Sequence, residues 1–223
     1  MIEWLVVPAS TFADDIDFVF ALVGGLVGFW YILTNAAFFW LLFRFRKQSG
    51  VAAQYITGTE HHLKRWVEWP HYLIILCDFA IIAAAVQVWY MVKQDLPAAE
   101  AEVRITSQQW AWSFVHPGVD GKLDTPDDIK TVDELHVVVD KVHHFQLESR
   151  DVLHSFSVPA FRLKQDAVPG RVITGWFEPS RAGAYDIQCA EICGIGHGIM
   201  GARIIVHTPE DYAAWQASAA PTI

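Results

Sequence analysis

From Phe18 to Phe43 about 26 residues pass without a charged side chain, and a second apolar run, Tyr72 to Val92, extends for about 21 with Asp78 as its one charged position. At roughly 1.5 Å of rise per residue, each run is long enough for the ~30 Å hydrocarbon core of a bilayer. Both are expected to be transmembrane helices, forming a hairpin within residues 18–93. The loop between them, 44–70, carries Arg44, Arg46, Lys47, Lys64 and Arg65, whereas the preceding segment 1–17 ends in Asp14, Asp15 and Asp17. Short basic loops stay on the cytoplasmic side, so both termini are expected outside. Trp66 and Trp69 before the second run, and Trp89, Tyr90 and Lys93 at its end, form the aromatic belts of the two interfaces. Gly24, Gly25 and Gly28 permit close approach of a neighbouring helix. Segment 1–17 lacks the basic start and cleavage site of a secretory signal and is expected to be retained as an outer N-terminal segment.

A mean hydropathy of +0.25 over 223 residues is too high for an ordinary soluble domain, yet the chain is long enough for a membrane part plus one small domain. Asp78 cannot face lipid as an ion without a cost of several kcal/mol, so it faces protein or water. A partner subunit is the natural source of that protein.

After residue 95 the pattern changes. EVRITSQQWAWSFV, LHVVVD, HHFQLES, VLHSFSV, RVITGWF, AYDIQC and ARIIVH read as strands separated by turn signals, which suggests a sandwich or barrel over 94–223. PEDYAAWQAS reads as a C-terminal helix with Pro209 in its first turn. The fold class is therefore a membrane-anchored α+β chain, a two-helix hairpin followed by an all-β domain. Trp110 and Trp112, two apart on the first strand, are expected on one face.

The stretch QCAEICGIGHGIM, residues 188–200, concentrates the chemistry: Cys189, Glu191, Cys193, His197 and Met200 stand among small residues. Thiolate and thioether sulfur select copper(I), and imidazole accepts copper in either oxidation state. A disulfide or a structural Cys2His2 zinc site uses the same cysteines, but neither has a use for Met200. A mononuclear blue-copper site needs one cysteine, so the second thiolate implies two coppers sharing both sulfurs. Cys77, in the apolar run, reads as an inert buried thiol.

Together with DVLHSF around His154 and LKQDAVPGR at 163–171, this segment resembles subunit II of haem-copper cytochrome c oxidase. That resemblance implies a cupredoxin-like fold for 94–223 and a binuclear CuA copper centre that takes electrons from cytochrome c. It implies that Cys189 and Cys193 bridge both coppers, that His154 and Met200 complete one, and that His197 with the main-chain carbonyl of Glu191 completes the other. The Glu191 side chain is then a ligand to magnesium at the boundary with the catalytic subunit. Trp110 matches the tryptophan at which electrons enter, although Ala111 stands where the family has another aromatic. In the family an acid near the start of the second helix guards a proton path; Leu63 occupies that place here, leaving Glu60, Glu68 and Asp78 as candidates. Haem is expected in the partner catalytic subunit only.

The outer domain holds 18 acidic against 10 basic residues, most of the chain's net charge of −9. Such a face attracts a basic carrier, and Asp120, Asp124, Asp127, Asp128 and Asp151 are its candidate residues. The partners expected are membrane lipid, a haem-containing catalytic subunit, other oxidase subunits and cytochrome c, with no nucleic acid. The expected location is a bacterial inner membrane, or a mitochondrial one, with the β-domain on the periplasmic or outer face. A CuA subunit of a nitric oxide reductase and a membrane-tethered copper chaperone are the alternatives.

Overall fold

The computed structural model describes residues 6–47, 49–52, 55 and 57–219. The first five residues of the expected N-terminal segment and four positions of the 44–70 loop lie outside the described residues. The chain divides into two compact units, one comprising Asp17–Trp89 and the other Met1–Ile16 with Tyr90–Ile223.

Most of helix α1, Ala13–Arg44, and of helix α2, His61–Lys93, lies in the first unit. Both are long and apolar enough to cross a membrane. Each begins before its apolar run because local chemistry favours a start there. Asp14 and Asp15 complement the positive end of α1. Ahead of α2, the Glu60 carbonyl accepts the N–H groups of Leu63 and Lys64, while its carboxylate accepts from the Gly58 N–H and the Thr57 hydroxyl. Glu68 pairs with Lys64 at 3.0 Å, one helical turn away. Pro70 lies within α2, where its ring removes one backbone donor.

The second unit holds ten strands: β1 Ala101–Gln108, β2 Ala111–His116, β3 Ile129–Val132, β4 Glu134–Val138, β5 His143–Ser149, β6 His154–Val158, β7 Leu163–Ala167, β8 Ile173–Phe177, β9 Gly183–Cys189 and β10 Gly201–His207. They form two five-stranded sheets, ordered β3-β2-β1-β5-β8 and β4-β10-β9-β6-β7. Alternation drives the layering. On β10 Ala202, Ile204 and Val206 turn inward while the residues between them stay more open, and on β5 His143, Phe145 and Leu147 do the same. The inner faces meet where Phe156 of β6 packs edge-on against Trp112 of β2 at 5.5 Å and lies 6.1 Å from Phe145 of β5.

What reads as one strand over 102–115 is a hairpin, with Gln108 paired to Ala111 and a two-residue turn at Gln109 and Trp110. Trp110 therefore stands at the turn, 36 % exposed, while Trp112 is fully buried on β2, so the two do not share a face. The polar β7 and the four-residue β3 are also strands, because the sheets supply their partners.

Residues just before α1 are stitched to the β-domain. The Ala9 N–H donates to the Ala160 carbonyl at 2.8 Å, the Ser10 hydroxyl donates to the Phe161 carbonyl at 2.8 Å, and Phe12 packs edge-on against Trp176 at 5.2 Å. At the other end, helix α3, Pro209–Ala219, starts on a Thr208 hydroxyl that accepts the Asp211 N–H. Trp215 of α3 stacks on His136 at 4.1 Å.

Candidate metal centre

Cys189 closes β9 and Met200 directly precedes β10, so the segment between them is the loop joining two hydrogen-bonded neighbours. The Cys189 N–H donates to the Met200 carbonyl at 3.1 Å, closing the loop at its base, and the Ala190 N–H donates to the Ser155 carbonyl of β6 at 2.9 Å. His154 opens β6, and the register of that strand sets Phe156 opposite Cys189. The distant histidine thus reaches the loop through the sheet.

The donor atoms converge. Cys189 Sγ and Cys193 Sγ are 3.8 Å apart and both thiols are free, far beyond the ~2.05 Å of a disulfide. Cys189 Sγ lies 3.9 Å from His154 Nδ1 and 3.3 Å from the Glu191 carbonyl. Cys193 Sγ lies 3.7 Å from His197 Nδ1 and 3.8 Å from Met200 Sδ. His154, Cys189 and Cys193 each offer a donor within 4.8 Å of the others, the spacing of ligands to one ion. His154, Cys193 and Met200 are buried, and Cys189 and His197 are partly so. Burial pushes the Cys193 thiol up to about 11, helped by the neighbouring Cys189, so an incoming metal must displace protons from this pair.

Six donors exceed the four of a tetrahedral zinc site. Two shared thiolates and four terminal donors instead suffice for two four-coordinate ions, and sulfur with imidazole is a copper-selecting set. The residues present fit a two-copper group.

Asp151 was expected on a docking face, but its oxygens are spent inside the site. Oδ1 accepts from His154 Nε2 at 2.8 Å and from the Val152 N–H at 2.7 Å, and Oδ2 accepts from the Gln109 N–H at 2.7 Å. Partial burial opposes its ionisation, yet these three donors hold the carboxyl below its ordinary range. The bond to Nε2 fixes the tautomer that leaves Nδ1 bare toward the sulfurs.

Trp110 belongs to the same site by contact. Its indole Nε1 donates to the Cys193 carbonyl at 3.3 Å, and Gln109 Nε2 donates to that oxygen at 2.7 Å. The ring lies so close to Gly196 that a Cβ there would fall 2.4 Å from Trp110 Cδ2. Around it the loop exposes Ile192, Ile195 and Ile199, at 82, 98 and 83 %. Sequence reading passed over these isoleucines; three apolar residues inside a ligand loop, free of any β alternation, were the available signal.

The other histidines are elsewhere. His143 Nε2 faces the Val138 main chain and His144 Nε2 faces the Pro97 carbonyl, on opposite sides of β5. His61, His62 and His71 lie on α2. Within 120–128, Asp124 pairs with Arg104 at 2.8 Å, and Asp127 accepts from Thr125 at 2.7 Å.

A cupredoxin-like β-domain with clustered sulfur and imidazole donors, joined to two helices able to span a bilayer, defines a membrane-anchored metalloprotein. The model of the cytochrome c oxidase subunit II periplasmic domain matches residues 101–208. An alternative cytochrome c oxidase subunit 2 from Bradyrhizobium diazoefficiens is 33 % identical over 95 % of this chain and 83 % of its own length. A cytochrome c oxidase subunit 2 from Thermostichus vulcanus is 44 % identical over 53 % of this chain and 33 % of its own length. The crystal structure of the periplasmic domain of subunit II of cytochrome oxidase from Bradyrhizobium japonicum superposes with a TM-score of 0.50 at 30 % identity, over 56 % of this chain and 96 % of that one. The chain belongs to the cytochrome c oxidase subunit II family. It is thereby a subunit of a haem-copper oxidase complex, an oxidoreductase.

Proposed function

We propose that this subunit accepts single electrons from cytochrome c at a binuclear CuA centre and hands them to haem in the catalytic subunit, where oxygen is reduced and protons are moved. The observation that carries this reading is the Trp110 contact: one edge of its indole bonds the main chain of Cys193 while the ring remains partly exposed.

Bound copper supplies a one-electron couple, and the chain supplies everything else. Cys189, Cys193, His154, Met200, His197 and the Glu191 carbonyl would hold the copper, with the two thiolates as the shared ligands. Donors drawn from β6, the end of β9 and one short loop would be held in place by the sheet through a redox change. Asp151 keeps the His154 ring oriented. Trp112, packed beneath His154 at 6.3 Å between ring centres, keeps water from that side. Ile192, Ile195 and Ile199 give the donor an apolar surface to press against, and the acidic surplus of the domain raises its rate of encounter.

Among the described residues, Glu191 belongs to no cluster of His, Cys, Asp or Glu donors that could hold an ion. Magnesium at its side chain therefore depends on ligands from another chain. The setting we propose is a bacterial inner membrane with the β-domain on its periplasmic side; a mitochondrial inner membrane with the domain on the outer face serves the same role.

Rapid mixing of the purified complex with reduced cytochrome c, and separately with a quinol, tests the role. Reduction by cytochrome c that slows as salt is raised supports it; reduction by the quinol alone overturns it.

A further inference from the structure

Near the midpoint of α2, Asp78 borders a groove between α1 and α2 of about 400 Å³, lined also by Trp30, Thr34, Asn35, Ile74 and Cys77. The groove is mostly apolar, and Thr34, Asn35 and Asp78 are among its few polar lining residues. Asp78 offers a carboxylate, Thr34 a hydroxyl oxygen, and Asn35 its side-chain carbonyl, because the Asn35 amide already donates to the Tyr31 carbonyl at 2.8 Å. Trp30 Nε1 is buried with no hydrogen-bond partner among the described residues. From Phe18 to Phe43 and from Tyr72 to Val92 the helices carry no Lys, Arg or His. A carboxylate at this depth therefore finds no opposite charge on its own hairpin, and the indole N–H finds no acceptor.

We propose that this groove seats a transmembrane helix of another subunit of the oxidase, and that the helix brings a lysine or arginine to Asp78. Charge complementarity selects this occupant. An ionised acid in hydrocarbon is tolerated when it is paired, and three oxygen acceptors beside two aromatic rings, Trp30 and Tyr31, suit a cation. A helix also fits the shape, since it supplies apolar side chains for the groove walls and a main-chain or hydroxyl oxygen for the Trp30 N–H. Asp78 thus acts as an assembly contact, remote from the metal ligands in sequence.

Two measurements on the oxidase complex test this. In the first, Asp78→Asn and Asp78→Glu are purified by a tag on the catalytic subunit, and the subunit II retained per haem is counted. Asp78→Asn should retain at least about tenfold less, because it strands the partner's cation in the bilayer, and Asp78→Glu should retain most of it. In the second, Cys77 of the unsubstituted protein reports coverage. Its alkylation by a membrane-permeant maleimide, read by mass spectrometry, should be at least about tenfold slower in the complex than in the chain purified alone in the same detergent. Wild-type retention of Asp78→Asn overturns the charge pairing. Equal alkylation of Cys77 in the two samples overturns the occupied groove, whatever the variants do.

Discussion

The Trp110 indole hydrogen-bonds the carbonyl of Cys193 at 3.3 Å, so a partly exposed aromatic ring and a residue with a buried thiol are one hydrogen bond apart. Replacing Trp110 by phenylalanine keeps the fold, because the residue sits in a turn, but removes that bond and much of the exposed ring. Reduction of the copper centre by cytochrome c should slow by about tenfold or more, the scale of an interface tryptophan lost, while the copper spectrum is retained. Stopped-flow absorbance separates the two.

Gly196 tests the same contact from the other side. A methyl group at this position meets Trp110 Cδ2 at 2.4 Å, so Gly196→Ala must displace the ring or the loop. Overpacking of this kind costs about 1–3 kcal/mol. The expected result is a shift in tryptophan fluorescence, a lower melting temperature and slower reduction by cytochrome c, with copper still bound.

Asp151 links the ligand His154 to the Gln109 N–H of the Trp110 turn through one carboxylate. Asp151→Ala should lower copper affinity by about 10–100-fold, the usual effect of removing a carboxylate behind a ligating histidine. Its folded-state carboxyl lies below the ordinary range, so its contribution to stability is present above the unfolded value near 4 and is lost as pH falls through the lower folded one. Copper titrations of the variant and of the unaltered protein at neutral pH check the first statement, and denaturant titrations of both between neutral and acidic pH check the second.

Two buried histidines set a separate pH dependence. Burial lowers His116 to about 3 and His143 to about 4. His116 Nε2 accepts the His136 main-chain N–H at 2.9 Å, an acceptor that protonation would remove, while His143 Nε2 lies 3.1 Å from both the N–H and the carbonyl of Val138 in a site where burial opposes a charge. Unfolded histidines bind protons below about 6.5, so folding stability falls as pH drops from there toward the folded values. Each contributes a slope of about 1.4 kcal/mol per pH unit in that window. Denaturant titrations of the protein at pH 7, 6 and 5 should show midpoints that fall progressively; a constant midpoint contradicts the assignment.

Much of this architecture was legible because its signals are local. The apolar runs announce α1 and α2, and the residues at 189–200 announce a metal loop by donor type alone. Pro209 and the residues around it mark α3. The β-domain was less legible where tertiary pairing overrides pattern. Gln109 and Trp110 contain no turn-forming glycine or proline, so the hairpin between β1 and β2 reads as one continuous strand. LKQDA of β7 is too polar to announce itself and becomes a strand through its pairing with β6. Asp151 was visible as a charge, but its role depends on the fold bringing Gln109, 42 residues earlier in the chain, to its other oxygen.

The central claim is that Cys189 and Cys193, 3.8 Å apart, share two copper ions. Copper counted per chain, together with the paramagnetic resonance spectrum of the full-length protein in detergent, tests it most directly. The account predicts two coppers per chain, a purple colour and hyperfine structure from one unpaired electron spread over both nuclei. One ion per chain, or a colourless protein whose two thiols have oxidised to a disulfide, contradicts it.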